Sequence, residues 1–173
     1  MDSEERHKWS RGEREILQTL DSILKEKFVK DTVELVAAKL RSRVAEQHDC
    51  LMAKEPLPIA TYGDKLPGVV RSSWVYLMNA PAVAGPERHP NSHQRTMAYT
   101  GTGFFEVNQS PDFDGEDEGA SFLLVGAVEG PLETRWVSIP EDLWHQAVVP
   151  EGEWVLVSFH TAPEKELVEE RPG

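Results

Sequence analysis

The stretch GPERHPNSHQRTMAYTG, residues 85–101, decides the fold prediction, because it joins a turn that carries two histidines to a strand-like run. The chain has six histidines, and four of them follow residue 80: His89, His93, His145 and His160. Imidazole is the commonest neutral ligand for first-row transition metals. Residues two apart on an extended chain point to the same face, so Glu87 and His89 share a face. This clustering of histidines is the main indication of function in the sequence.

Short β-rich runs surround that stretch at regular spacing. They cover roughly residues 69–78, 95–100, 103–108, 122–128, 134–139, 144–149 and 154–160. Segments rich in Gly, Pro and Asp lie between them, at 80–90, 101–103, 110–119, 130–131, 140–142 and 150–152. About seven or eight short strands with turns every eight to twelve residues predict a sandwich or a barrel. Residues 56–173 are therefore expected to form one mainly β domain.

Residues 1–55 have the periodicity of helix instead. Ser10 and Glu13 have the spacing of a capping box, in which a side chain satisfies a free backbone group at the helix start. Apolar residues then recur every three or four positions, as in one face of a helix: Ile16, Leu17, Leu20, Ile23, Leu24 and Phe28. Asp31 and Glu34 indicate the start of a second helix, whose own apolar stripe ends near His48. We expect two amphipathic helices, packed on the barrel or at a homodimer contact.

The composition narrows the classes of partner. The 173 residues include 30 acidic and 18 basic ones, a net charge of −12, which repels phosphate backbones and argues against nucleic acid. Cys50 is the only cysteine, so an intramolecular disulfide is excluded. The opening residues are polar and no run approaches the roughly 18 apolar residues that span a membrane. We therefore expect a cytoplasmic protein with no membrane partner.

Two spaced groups of residues resemble the motifs of the cupin superfamily. Glu87, His89, Gln94 and Gly101 have the spacing E-x-H-x(4)-Q-x(6)-G, and Pro140 stands five residues before His145. The cupin motifs are H-x-H-x(3,4)-E-x(6)-G and G-x(5)-P-x-G-x-x-H-x(3)-N, so Glu replaces the first His and Gln replaces the Glu. The resemblance covers residues 85–163. It implies a mainly β fold, a cupin-type double-stranded β-helix barrel, here with an N-terminal two-helix segment.

Within that superfamily, residues 87–94 are also similar to the first motif of the thiol dioxygenases, H-x-H-x-x-S-H-C, including the pair Ser92-His93. The later S-x-H-x-Y of those enzymes is similar to residues 158–162. This resemblance implies that Glu87, His89 and His145 bind iron. It further implies that Ser158 and His160, two apart on one strand face, form an outer-shell relay that handles protons.

The chain also departs from the thiol dioxygenase pattern. Gln94 and Ala162 stand where those enzymes have the cross-linked Cys and Tyr, and their carboxylate-binding Arg would lie near Thr61. Cysteine itself is therefore not the expected substrate, whereas thiols as a class stay open.

Two imidazoles and one carboxylate are the ligand set of non-haem Fe(II) oxygenases, in which open positions receive substrate and oxygen. Fe(II) is the expected metal, and Zn, Mn or Ni suit the same ligands. Four residues are candidates for an additional part of the pocket: His93, Gln94, Arg95 and Tyr99. The first hypothesis is an iron dioxygenase that acts on a small-molecule substrate. The alternatives are a cupin that binds metal or ligand without turnover, and a cupin isomerase or lyase.

Overall fold

Two helices precede eight strands in the computed structural model, which describes residues 9–115, 119–126 and 129–173. Helix α1 spans Arg11–Leu24 and α2 spans Lys27–Glu46, and short 3-10 helices cover Ile59–Tyr62 and Leu132–Thr134. The strands are β1 Met52–Pro56, β2 Ser72–Asn79, β3 Ala82–Glu87, β4 Gln94–Asn108, β5 Ala120–Gly126, β6 Trp136–Ile139, β7 Trp144–Val149 and β8 Glu153–His160.

The strand pairing defines the architecture. β2 pairs with β8 and β3 pairs with β7, all antiparallel. The first half of β4, residues 94–100, pairs with β6 and β8, and its second half, residues 101–108, pairs with β5 and β7. Pairing of early strands with late ones across two sheets is the jelly-roll arrangement that cupins share. The predicted mainly β, cupin-type barrel with two N-terminal helices is confirmed.

The predicted turn at 101–103 is wrong, because β4 continues through it and passes from one sheet to the other. Gly101 has a φ of 80°, which a residue with a side chain rarely adopts. A Cβ atom at Gly103 would lie 2.3 Å from the ring of Trp154. The two glycines therefore form a bend, here named the β4 corner, where the backbone passes close to β8.

Two strands were missed from the sequence. β3 lies in the predicted 80–90 turn and contains Gly85 and Pro86, which disfavour a strand. It stands at the end of the strand order, where fewer backbone groups need a partner. β1 crosses the expected boundary at 55/56 and pairs with β2, at the other end of the order.

The helices pack on the outer face of the barrel. Residues such as Leu20, Val33 and Leu40 form one buried cluster with Val157 and Phe159 of β8. Ser10 accepts a hydrogen bond from the Glu13 backbone N–H at 3.1 Å, which caps α1. None of the helices in the described ranges has the length and apolar character needed to cross a membrane.

Two details of the helix prediction are wrong. The α2 helix begins at Lys27 rather than at Asp31, because only two residues, Lys25 and Glu26, separate it from α1. Phe28, placed by periodicity on the apolar stripe of α1, is 70% exposed, and Val29 is buried instead. The apolar stripe of α2 therefore has its own phase and does not continue the apolar stripe of α1.

Strand β8 shows how the sheet separates two environments. Trp154 and Leu156 pack inside the barrel, whereas Val155, Val157 and Phe159 pack towards the helices. Side chains alternate along a strand, so Ser158 and His160 continue the inward series. The interior is therefore apolar in the middle and polar at the end where β8 finishes.

Candidate metal centre

Three chain segments bring the predicted metal ligands to the polar end of the barrel. Glu87 ends β3 and lies directly opposite His145 of β7 in the strand register, and His89 follows two residues later in the loop. One ligand atom from each of the three residues lies within 4.8 Å of the others. The structure therefore assembles the three side chains that the sequence indicated.

The hydrogen bonds of the two imidazoles orient their free nitrogens. Nδ1 of His89 donates to the Val168 carbonyl at 2.9 Å, and Nδ1 of His145 donates to the Leu143 carbonyl at 3.1 Å. In neutral imidazole the other nitrogen then carries a lone pair. Both Nε2 atoms face Oε1 of Glu87, at 3.9 Å from His89 and 3.7 Å from His145. Three electron-pair donors thus converge on one point.

The charges of the site favour a bound cation. Burial would raise the pKa of Glu87, but its neighbours, among which Arg171 carries a permanent charge, outweigh burial and lower that pKa, so the carboxylate is ionised. Burial lowers the pKa of His89, which keeps its imidazole neutral. Nε2 of His145 is buried and has no hydrogen-bond partner among the described residues. An unpaired buried acceptor next to an ionised carboxylate is costly unless a cation or a donor completes it.

The spacing of these donors suits a first-row metal ion. Donor atoms that lie about 2.1 Å from a common ion stand about 3–3.5 Å apart at tetrahedral or octahedral angles. The two carboxylate–imidazole separations, 3.7 and 3.9 Å, exceed this by a few tenths of an ångström. All three ligand atoms lie within 4.8 Å of one another, so side-chain movement would bring them onto one ion. The residues present therefore fit a mononuclear divalent metal.

A hydrogen-bonded row of polar side chains continues from the centre into the barrel. Oγ of Ser158 lies 3.2 Å from Nε2 of His160 and 2.9 Å from Oγ1 of Thr96. Thr96 in turn accepts from the Gln94 amide at 3.0 Å. The His160 ring packs edge-on against His89, with centroids 5.0 Å apart.

His160 is neutral in this setting. Burial, together with the neighbouring His89 and His145, lowers its pKa to about 3. Its Nδ1 lies 3.4 Å from Oγ of Ser92. Neither Ser92 nor Thr96 was among the predicted site residues. Thr96 lies two residues after Gln94 on one strand and so shares its face, and this alternation could have predicted Thr96.

A small cavity of about 30 Å³ borders the ligands. Besides Glu87 and His145, its lining includes Tyr76, Met78, Gln94, Thr96, Phe105 and Leu156. Among the described residues, Glu87 is the only charged group of that lining. The Gln94 side-chain oxygen is buried and has no partner in the part of the chain that the structure describes. Gln94 therefore lies where the sequence predicted, with a free acceptor.

The other three candidate pocket residues do not reach this cavity. His93 lies 2.6 Å from Ser138 Oγ, Arg95 makes two hydrogen bonds to Glu13 at 2.7 and 2.8 Å, and Tyr99 donates to Glu34. Arg95 and Tyr99 alternate with Gln94 along β4 and so face the helices. His93 turns to the same side just before the strand. The prediction that these three residues belong to the pocket beside the ligands is therefore wrong for this cavity.

Fold and site together define a class of protein: a jelly-roll barrel with one carboxylate and two imidazoles gathered at one end of its interior. Neither a protein-family model nor a curated protein matches the chain. Solved structures do, among them oxalate oxidase in complex with the substrate analogue glycolate, at 18% identity and a TM-score of 0.49. That match covers 68% of this chain and 54% of the other.

Two further solved structures are similar at the same level. Capsular polysaccharide assembling protein CapF from Staphylococcus aureus is 15% identical, with a TM-score of 0.44, and the match covers 54% of this chain and 24% of CapF. Vicilin from hazelnut, Corylus avellana, is 12% identical, with a TM-score of 0.48, at 66% of this chain and 30% of vicilin. This chain thus spans about a quarter to a half of those proteins. The strand pairing carries the fold assignment.

Proposed function

We propose that this protein binds one divalent metal ion through Glu87, His89 and His145 and uses it as a non-haem iron dioxygenase. The observation that carries the proposal is the convergence of three electron-pair donors, one of them the buried and unpartnered Nε2 of His145. Two His and one carboxylate on one face of an ion leave positions for other ligands. When bound there, Fe(II) supplies the redox chemistry and holds two reactants side by side.

The polar groups that line the cavity favour turnover over mere storage of metal, because they lie beside the ligands and can orient a substrate. The free Gln94 oxygen accepts a hydrogen bond, and Tyr76 can donate one, since burial raises the pKa of its phenol and keeps it protonated. The row from His160 through Ser158 holds a neutral imidazole next to His89. These residues can bind and orient a substrate, and they exclude water from the site.

The lining also restricts the substrate class. In the described part of the chain no cation faces the cavity that could bind a carboxylate, and the volume of about 30 Å³ admits only a few heavy atoms. A small neutral molecule that presents a thiol or hydroxyl group, with a second donor for Gln94, fits best. We include a cytoplasmic location in the proposal, because the lone Cys50 has no partner cysteine to cross-link with.

The first experiment measures metal content and affinity. We expect the purified protein, reconstituted without oxygen, to take up about one Fe(II) per chain, and Glu87→Gln and His145→Ala to lose it. Glu106→Gln is the matched control, since Glu106 lies on β4, accepts from Gln146 and does not line the cavity. A wild type that takes up no Fe(II), Mn, Zn or Ni would refute the metal site.

The second candidate is a protein that binds metal without turnover, and the small size of the cavity is the observation that favours it. Oxygen consumption by the iron-loaded protein separates the two, with a panel of small thiols and alcohols as substrates. The dioxygenase proposal expects uptake that depends on one class of substrate and is lost in Glu87→Gln. Stoichiometric iron without uptake across the panel would favour the binding function.

A further inference from the structure

We propose that residues 166–171, here named the closing segment, form the outer shell of the metal site and set its affinity through Val168 and Arg171. The inference rests on the proposed metal binding, and it assigns a role at the metal site to residues other than the three ligands. Groups that hydrogen-bond to metal ligands fix their orientation and commonly change metal affinity by about 10–100-fold when removed.

The closing segment is tied to the loop that carries His89. Backbone hydrogen bonds join Arg88 and Glu170 in both directions, at 3.1 and 3.0 Å, as in an added strand. Asn91 holds the segment from the side, because its amide donates to the Glu166 carbonyl at 2.7 Å and accepts from the Val168 N–H at 3.0 Å. Four hydrogen bonds thus place six residues along the rim of the site.

Val168 acts on His89 through its backbone. Its carbonyl accepts the Nδ1 proton of His89, which leaves Nε2 unprotonated and directed at the centre. The acceptor does not depend on the side chain at position 168, which is 43% exposed. What matters is that the segment stays in place: Asn91 holds it before the Val168 carbonyl, and the Arg88 guanidinium holds it after Val168 by donating to the Glu170 carboxylate at 2.7 Å.

Arg171 acts on Glu87. Its guanidinium donates to Oε2 at 2.9 Å, whereas Oε1 of the same carboxylate faces the two imidazoles. The two oxygens are therefore divided between the closing segment and the centre. Arg171 is 55% exposed but Glu87 only 15%, so the contact orients a largely buried carboxylate and is more than a surface ion pair. Val168 and Arg171 are positioning residues.

The test measures the affinity for Co²⁺ and Zn²⁺ of the full chain by calorimetry, with the visible spectrum of bound Co²⁺ as a reporter of coordination geometry. We expect Arg171→Ala and Asn91→Ala each to weaken binding about 10-fold, the lower end of the usual range. Arg171→Lys should restore part of the affinity, because it keeps one donor. Asn91→Ala should also speed hydrogen exchange at the Val168 and Glu170 amides.

Arg41→Ala is the matched control, because Arg41 is 51% exposed and pairs with Glu153 away from the site. It should leave affinity and Co²⁺ spectrum unchanged. If wild type binds metal and both Arg171→Ala and Asn91→Ala bind it as tightly with the same spectrum, the inference is overturned while the proposed function stands. If wild type binds neither ion, both fail together. A loss shared by Arg41→Ala would also overturn the inference, because it would be unspecific.

Discussion

Two buried clusters in this protein contain carboxylates, and they are completed in opposite ways. Between α1 and the barrel, Asp21 accepts from Arg135 and from the Trp136 indole at 3.0 Å, and Glu13 accepts from Arg95. At the end of the barrel interior, the groups that Oε1 of Glu87 faces in the described part of the chain are the Nε2 atoms of His89 and His145. Both oxygens of Asp21 and of Glu13 face donors, so these two carboxylates are structural. In Glu87 only Oε2 is paired, with Arg171, whereas Oε1 converges with further acceptors and needs a cation from outside.

Among the substitutions that test this contrast, we expect the largest loss of stability from a substitution of Asp21. Asp21→Ala leaves the buried Arg135 guanidinium without its counter-charge, which typically costs about 3 kcal/mol of unfolding free energy. Urea unfolding should show this loss, while metal affinity stays at the wild-type value. Asp21→Asn, which keeps an acceptor for Trp136, should lose less. Unchanged stability in Asp21→Ala would mean that the helix cluster is not structural.

A smaller effect is expected for Glu13, and it depends on pH. Burial opposes the charge of Glu13, but hydrogen bonds from Arg95 and Ser138 outweigh it, with further help from the charges of Arg95 and His93, so the pKa is lowered in the folded state. A lowered folded-state pKa contributes stability that is present above the ordinary value of 4.5 and is lost as pH falls through the folded-state pKa. Glu13→Gln should therefore be about 2 kcal/mol less stable at pH 7, the worth of a charged hydrogen bond.

The difference between wild type and Glu13→Gln should shrink as the pH falls below 4.5 and through the lowered folded-state pKa of Glu13, since both proteins then carry a neutral side chain there. Denaturant titrations at several pH values measure it. A difference that is constant across that range would show that the ion pair with Arg95 contributes nothing.

The smallest expected effect is on His93, which a cluster of histidines in sequence suggests as a ligand but which faces Ser138. His93→Ala should leave metal affinity within about 2-fold of wild type and cost about 1 kcal/mol of stability, the usual worth of one hydrogen bond. Calorimetry with Zn²⁺ and urea unfolding check the two parts. A marked loss of metal affinity would show that His93 belongs to the metal cluster and not to the cluster beside α1.

Spacing predicted the site wherever strand alternation alone decides the direction of a side chain. Trp144–Val149 is the strand expected from the sequence, and Ser158 and His160 lie 3.2 Å apart as their two-residue separation indicated. The same rule, applied from Gln94, would have directed Arg95 and Tyr99 away from the cavity. The β3 strand was not predicted, because Gly85 and Pro86 disfavour a strand in the middle of a sheet but are tolerated in a strand at its edge.

Arg171 and Val168 could not be predicted in this way. Their contacts depend on where residues 166–171 run after the last strand, and no periodicity in sequence specifies the path of such a segment. The contact from Val168 is made by its backbone, which has the same acceptor in any residue. This part of the site follows from tertiary placement alone.

The close packing at the β4 corner gives the protein an optical reporter. The Trp154 indole packs on Gly103, its ring lies 5.8 Å from Phe105, and Phe105 in turn lies 6.4 Å from the ring of His145. A paramagnetic ion held by His145 would be separated from Trp154 by the Phe105 ring, and we expect it to quench part of the emission of the five tryptophans. Intrinsic fluorescence can therefore follow occupancy of the centre in real time, without a label and without knowledge of the substrate.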